Sequence, residues 1–257
     1  MTNTKGIILA GGDGTRLKPM TDVISKQLLP IYNKPMIFYP LSVLIQAGLK
    51  EILIITKPTE QENFKKIIGD GKKWGVNIEY TIQEKPKGIA QSLIIAKNWL
   101  NNSSSLLILG DNLFFGQDLK KMLKSVLENK EGATIFGYQV SDPSRYGVAS
   151  FDGDNKIISI IEKPITPISN WAVTGMYHYD SKAPEIAESL APSERGELEI
   201  TDLNNHYLKN NDLKIQLLDS GFAWLDTGTP DSLLEASNFV KIIETRQGLK
   251  IGDPSQD

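Results

Sequence analysis

Short aliphatic runs, each followed by a stretch with helical periodicity, limit what this chain can become more than any other feature. The runs GIILA (6–10), EILIIT (51–56), NIEYTIQ (77–83), SLLILGD (105–111) and ATIFGYQV (133–140) are separated by helical patterns over 35–47, 59–68, 89–100 and 118–129. Strand–helix alternation of this kind calls for right-handed crossovers and a mostly parallel sheet. Runs that are apolar at nearly every position fit strands covered on both faces. The predicted fold class is therefore α/β, Rossmann-like, with a mostly parallel central sheet and helices on both faces. Beyond residue 140 the chain is richer in strands, at 147–152, 157–164, 172–180, 213–219 and 222–228, with helices predicted over 182–190, 198–209 and 230–246. No linker rich in proline, glycine or serine interrupts the pattern, so the reading is a single domain over 1–257.

Composition removes several kinds of chemistry. The chain has 257 residues, 40% of them hydrophobic and 23% charged, an ordinary globular balance. Lys+Arg 28 against Asp+Glu 31 leaves a net charge of −3, which argues against nucleic acid or an anionic membrane surface as the main partner. With Cys 0 there is no thiolate nucleophile, disulfide or zinc–thiolate site. Only His178 and His206 are present, so histidine triads and zinc hydrolysis are disfavoured. The N-terminal apolar stretch is too short for a signal peptide and no run reaches membrane-spanning length, so the expected location is cytoplasmic.

The segment LAGGDGTRLKPMT (9–21) follows the first strand directly. It lacks the third glycine of a dinucleotide fingerprint and the Gly-Lys-Ser/Thr ending of a Walker loop. What remains is a tight glycine loop at the carboxyl end of a strand, with Arg16 inside it and Lys26 beyond. Glycines admit close backbone approach, their amides form an anion-binding concavity, and the two cations offset phosphate charge. Open α/β sheets bind ligands at that end of their strands.

LAGGDGTRLKP, SKQLLPIYNKPMIFYPLSVL, LILGDN, RYGVASFD, IEKP, SNWAVTGMYHYD, RGELEITD and WLDTGT occur in that order between Gly6 and about Leu249. In these motifs the chain resembles the sugar-1-phosphate nucleotidylyltransferases, and within them the thymidylyltransferase branch. The resemblance implies a nucleotidyltransferase fold with a nucleotide-facing part over about 1–140, a sugar-phosphate-facing part over about 141–230 and a C-terminal helix over about 230–246. It implies transfer of a thymidylyl group from dTTP to glucose 1-phosphate, releasing dTDP-glucose and pyrophosphate. It also implies Mg²⁺ as cofactor, assembly as a homotetramer, and a place in deoxysugar supply for polysaccharides such as those containing rhamnose. The alternatives are a uridylyl- or cytidylyltransferase on a related sugar 1-phosphate, or a non-catalytic nucleotide-sugar sensor. Intact charges at Arg16, Lys26, Asp111, Lys163 and Asp226 speak against the sensor.

This chemistry suits a chain without cysteine and nearly without histidine. The nucleophile is a phosphate oxygen already ionised at neutral pH. The obstacles are repulsion between two anions and charge building on the leaving group, which positioning and positive charge relieve. By residue type alone Asp111 and Asp226 could each simply open a turn, Glu162–Lys163 could be a solvated ion pair, Arg195 could belong to a helix-entry cluster, and Gln83 could be a polar strand end. The resemblance implies more. It assigns the metal to Asp111 and Asp226, the triphosphate to Arg16 and Lys26, and the sugar phosphate to Lys163 and Arg195. Glu162, with Asn112, Tyr146, Gly147 and Val173, would surround the sugar. Leu9, Gly11, Gly12, Gly14, Thr15, Gln27, Gln83, Pro86 and Gly88 would surround the nucleotide, Gln83 reading the base edge and Gly88 letting backbone amides approach. Asp13 departs from what a phosphate loop wants, and is expected to point outward and cap the next turn, the alternatives being a further metal ligand or repulsion of the triphosphate. Longer thymidylyltransferases continue past the last helix towards a second, inhibitory nucleotide site. Here IGDPSQD is expected to be a polar tail, and Gln117 and Ser220 offer no cation, so weak feedback inhibition is expected.

Overall fold

Each of the aliphatic runs becomes a strand. The structure, a computed structural model, describes residues 4–152 and 156–255. In chain order the elements are β1 (Thr4–Ala10), β2 (Pro30–Ile31), β3 (Lys34–Pro35), α1 (Phe38–Gln46), β4 (Glu51–Thr56), α2 (Gln61–Ile68), β5 (Asn77–Ile82), α3 (Gln91–Leu100), β6 (Ser104–Leu109) and β7 (Asn112–Gly116). Then come α4 (Leu119–Leu127), β8 (Ala133–Gln139), β9 (Gly147–Phe151), β10 (Ile157–Glu162), β11 (Trp171–Tyr179), α5 (Ala183–Glu188), α6 (Ile200–Lys209), β12 (Leu213–Leu218), β13 (Phe222–Asp226) and α7 (Pro230–Gln247). Helix ends fall within three residues of the periodicity. The strands missing from the sequence reading are the two-residue pair β2 and β3 and the longer β7, whose NLFFG pairs with β13 in a small sheet of its own.

The chain sorts into two compact units, neither contiguous. One, here called the glycine-loop unit, comprises Lys5–Pro86, Ile108–Lys124 and Phe222–Asp257; the second is built mainly from Lys87–Leu107 and Ser125–Gly221. This division does not follow the contiguous parts expected, because residues 222–257 return to the unit that holds the glycine loop.

In the glycine-loop unit β1, β4 and β5 pair in parallel, with Ala10 beside Thr56 and Thr56 beside Ile82. Their ends therefore lie side by side on one rim. Ile7, Ile8, Ile52, Ile54 and Ile55 are fully buried between the layers, as continuous apolar strands require. A second cluster joins Ile31, Met36, Tyr39, Leu113, Ala236, Val240 and Ile251. The α7 helix in this cluster starts on a capping box, Thr229 with Ser232, and stops at Gly248 in the left-handed conformation.

The tail is not the free polar segment expected. Ile251 and Pro254 are buried, Lys34 Nζ donates to the Ile251 carbonyl at 2.9 Å and to Glu244 Oε1 at 2.9 Å, and the Ile251 amide donates to the same Glu244 oxygen at 3.1 Å. Pattern alone misses this because the anchor is one isoleucine and a backbone carbonyl. Gln256 and Asp257 lie outside the described residues.

In the second unit β12 and β8 pair in parallel, while β8–β11, β11–β9 and β9–β10 are antiparallel. Its interior carries polar groups in pairs. Tyr207 donates to Asp180 Oδ1 at 2.7 Å, the Gly132 amide donates to Asp180 Oδ2 at 2.9 Å, and Tyr179 donates to Asn204 Oδ1 at 2.6 Å.

Candidate active site

The glycine loop turns at Gly14, whose φ of +61° and whose neighbours Thr21 and Lys26 leave little room for a side chain. Its carbonyl accepts from the Leu17 amide at 2.9 Å and from Thr21 Oγ1 at 2.8 Å, and this closes the turn over Thr15–Leu17. Gly11 is required for a different reason: a Cβ there would overlap the side-chain carbonyl of Gln83. The buried Gln83 amide group thus lies against the glycine loop, held through its backbone amide on Thr56 O at 2.8 Å. Gln27, also buried, accepts from Ser25 Oγ at 2.6 Å and packs beside Gly110. Gly11 and Gln83 are therefore brought together by the parallel ends of β1, β4 and β5, and Gly14 and Lys26 by the turn of the glycine loop.

Two acids distant in sequence become neighbours. β13 runs antiparallel to β7 with Asp226 opposite Asn112. Thr227 fastens the junction, its amide donating to Asp111 O at 3.0 Å and its hydroxyl to the same carbonyl at 2.7 Å. Asp111 is paired with Lys26 and accepts from Asn112 Nδ2 at 3.0 Å. Burial pushes the Asp111 carboxyl up, but the Lys26 charge and the two hydrogen bonds outweigh it and hold the group below the usual range. Arg16 lies over Gly228, where a Cβ would stand 2.7 Å from the guanidinium. One spot in this unit thus gathers Arg16, Lys26, Asp111 and Asp226. Among the described residues no group of three or more histidine or acidic side chains is arranged for a metal. A carboxylate has about four acceptor directions, and Asp111 uses two of them on Lys26 and Asn112. Carboxylate oxygens such as those of Asp111 and Asp226 are the donor type a hard cation takes together with phosphate oxygens and water.

Asn112, expected beside the sugar, also bears on Asp111. Its side-chain carbonyl accepts from Trp224 Nε1 at 2.6 Å while its amide holds Asp111, so its visible work is to orient the acid. Asp13 does not cap the following turn, since the residue at the cap is Gly14 and no side chain bonds there. It pairs with Lys57 at 2.6 Å instead, because Lys57 follows the strand lying next to β1.

The second unit collects the residues expected around the sugar phosphate. Gly147 stands opposite Glu162 in the β9–β10 ladder, with Val173 and Thr201 beside it. Thr201 donates to Glu162 Oε2 at 2.6 Å, and Lys163 Nζ lies 3.4 Å from Glu162 Oε1. Lys163 has φ +42°, a left-handed conformation that costs a lysine energy; its amide donates to Tyr146 O at 3.0 Å. Arg195 meets three carboxylates, Glu199 at 2.9 Å, Glu197 at 3.6 Å and Glu162 at 3.8 Å. Burial is the largest single influence and disfavours its charge, but the three acids together outweigh it and raise its proton affinity. Gly88, expected to make room for the base, has φ +97° and makes room for the backbone of Leu198. The Leu198 amide donates to Lys87 O at 2.8 Å and the Ala90 amide to Leu198 O at 3.2 Å.

Two cavities are lined by other residues. A groove of about 880 Å³ in the second unit is lined by Asp152, Lys156, Ile158, Asp202, Asn205 and Lys209, none of them an expected site residue. A cavity of about 90 Å³ in the glycine-loop unit is lined by Tyr39, Gln46, Phe115, Gly116, Lys250 and others. Lys250 lines it together with Phe114, Phe115 and Gly116 of FFGQDLK.

Residues 5–242 match the family described as Nucleotidyl transferase. The chain belongs to the nucleotidyl transferase family. The glucose-1-phosphate thymidylyltransferase of Xanthomonas campestris pv. campestris (strain B100) is 55% identical over 256 residues, 100% of this chain and 87% of that protein. The enzyme of the same name from Neisseria meningitidis serogroup A is 52% identical over 247 residues, 96% of this chain and 86% of that one. Among solved structures, a candidate glucose-1-phosphate thymidylyltransferase of Bacillus anthracis in complex with a sucrose superposes with a TM-score of 0.86 at 42% identity, covering 92% of this chain and 94% of that one. A UDP-glucose pyrophosphorylase complexed with UDP-glucose superposes with a TM-score of 0.80 at 25% identity, over 93% and 98% of the two chains.

For a nucleotidyl transferase, the sequence reading passed over Thr227, Gly228, Glu199 and Lys57. Thr227 and Gly228 stand in the quoted WLDTGT, but nothing local tells that one holds Asp111 and the other supports Arg16. Glu199 looks like a helix-start acid, yet it receives Ser193 Oγ at 2.7 Å as well as Arg195.

Proposed function

We infer that this chain joins thymidylate from dTTP to glucose 1-phosphate, releasing pyrophosphate. The observation that carries the reading is the junction of β7 and β13, where Thr227 holds Asp111 and the strand register sets Asp226 opposite Asn112, beside Lys26 and Arg16. The full-length similarity to thymidylyltransferases supports the choice of substrates. Arg16, Lys26 and the amides of the glycine loop bind the triphosphate of dTTP and offset charge on the departing pyrophosphate. Gln83 offers one acceptor and one donor to the pyrimidine edge, and Gln27 faces the sugar of the nucleotide. Lys163 and Arg195 bind the phosphate of glucose 1-phosphate, and Glu162 accepts from its hydroxyls. Displacement at the α-phosphorus then needs no general base, because the attacking phosphate oxygen carries its charge already. Asp111 and Asp226 would hold Mg²⁺, which when bound would add charge stabilisation to the phosphates. A homotetramer in the cytoplasm goes with this reading.

Pyrophosphate release is measured with glucose 1-phosphate and each of dTTP, UTP, CTP and ATP. Fastest release with dTTP is expected. Preference for UTP or CTP would move the chain to a neighbouring activity, and no release with any of the four would favour a sensor. Thymine and uracil differ by one methyl, worth on the order of 1 kcal/mol, so slower use of UTP is expected. Light scattering on the purified protein checks the tetramer.

A further inference from the structure

The ion pair between Asp13 and Lys57 stands inside the glycine loop and has no part in the roles so far assigned. Asp13 is the one acid among the residues from Gly11 to Arg16, a segment whose amides and arginine suit an anion. Its side chain is half exposed, 56%, while that of Lys57 is more enclosed at 26%. Their meeting follows from register. β1 and β4 pair in parallel with Ala10 beside Thr56, so the residues just past each strand end share the rim where ligands of open sheets bind. Gln83 reaches the same rim through Thr56 and Gly11. A carboxylate free on this rim would repel a triphosphate at close range, where Coulomb terms exceed their value in bulk water.

We propose that Lys57 is a positioning residue for the nucleotide: it draws Asp13 aside and cancels its charge, so that the glycine loop meets the triphosphate as a cationic cradle. The proposal rests on reading the loop as the triphosphate site. Stability is not the issue, since exposed ion pairs contribute little to it. The effect belongs to binding, and therefore to the Michaelis constant for dTTP rather than turnover.

The test compares wild type, Lys57→Ala, Asp13→Asn and the double variant. Initial rates are taken with dTTP and glucose 1-phosphate varied separately, and inorganic tripolyphosphate is titrated into each protein by calorimetry. Lys57→Ala is expected to raise the Michaelis constant for dTTP and the tripolyphosphate dissociation constant about tenfold. Turnover and the constant for glucose 1-phosphate should move less than about twofold. Asp13→Asn should behave like wild type, and adding it to Lys57→Ala should restore binding to within about threefold. A double variant as weak as Lys57→Ala alone would mean that the lysine acts on phosphate itself, and would overturn the proposal. So would an unchanged Lys57→Ala, or a wild type that does not bind tripolyphosphate. Wild-type binding of tripolyphosphate without pyrophosphate release from dTTP would instead defeat the assigned activity and leave the charge argument standing.

Discussion

Asp226 takes its meaning from one residue-scale fact, that it lies across the ladder from Asn112 and so beside Asp111. Asp226→Asn keeps shape but removes the charge and turns one acceptor oxygen into a donor. It is expected to cut turnover by about a hundredfold or more while changing dTTP affinity far less, because the metal chiefly stabilises the transition state. Near-normal turnover at saturating Mg²⁺ would take Asp226 out of the metal site. The cations should divide their work. Lys163→Ala should mainly raise the Michaelis constant for glucose 1-phosphate, whereas Arg16→Ala should mainly lower turnover through lost stabilisation of pyrophosphate. Steady-state kinetics with each substrate varied decide the matter, and identical defects in the two variants would refute the division. Arg16 and Asp111 could be picked out from the sequence because each stands beside a strand-end turn, and Lys26 because it stands in the SKQLLP motif. Their partners Thr227 and Lys57 could not, since a threonine or lysine after a strand is unremarkable until something packs on it.

Glycines at the ends of elements make the next scale testable, since two of them serve opposite purposes. Gly228, just past β13, faces the mobile end of Arg16, with a Cβ placed 2.7 Å from its guanidinium. An alanine there displaces a flexible side chain rather than backbone. Gly228→Ala is therefore expected to lower turnover about tenfold or more with a melting temperature within about 2 °C of wild type. Gly88, before α3, combines φ +97° with backbone of Leu198 on its open side. Gly88→Ala should destabilise the fold by about 2–4 kcal/mol through strain and collision, seen as a lower denaturation midpoint. If Gly228→Ala melts early and Gly88→Ala does not, the assignments are reversed. Helices and strands were largely legible because buried faces impose periods on the sequence. β7 was not, because five residues after a turn carry too short a pattern and its partner strand lies more than a hundred residues away.

At the scale of the molecule, acid is the revealing variable. His178 is 1% exposed, neither ring nitrogen has a hydrogen-bond partner, and burial, opposed weakly by Asp180, lowers its pKa from 6.5 to about 4. The unfolded chain takes up the proton near pH 6.5 and the folded chain only near 4. Its contribution to stability is therefore complete above about pH 6.5 and is lost as the pH falls towards 4, by up to about 3 kcal/mol. Urea denaturation at pH 7.5 and 4.5 should show a smaller pH effect in His178→Phe than in wild type. Equal effects in both proteins would remove His178 as the cause.

Local pattern settled the α/β class, the glycine loop at a strand end, and a chemistry that does without cysteine or histidine nucleophiles. All of these follow from residue type and short spacing, the range over which periodicity and turn preference act. Only the tertiary structure decided that residues 222–257 return to the glycine-loop unit, that Asp226 stands across the ladder from Asn112 with Thr227 fastened to Asp111, that Asp13 is paired rather than capping, and that the tail is anchored through Ile251. Those contacts depend on which strands pair and in which register. Pairing of distant strands is set by packing and loop closure across the whole chain, which no short window of sequence encodes.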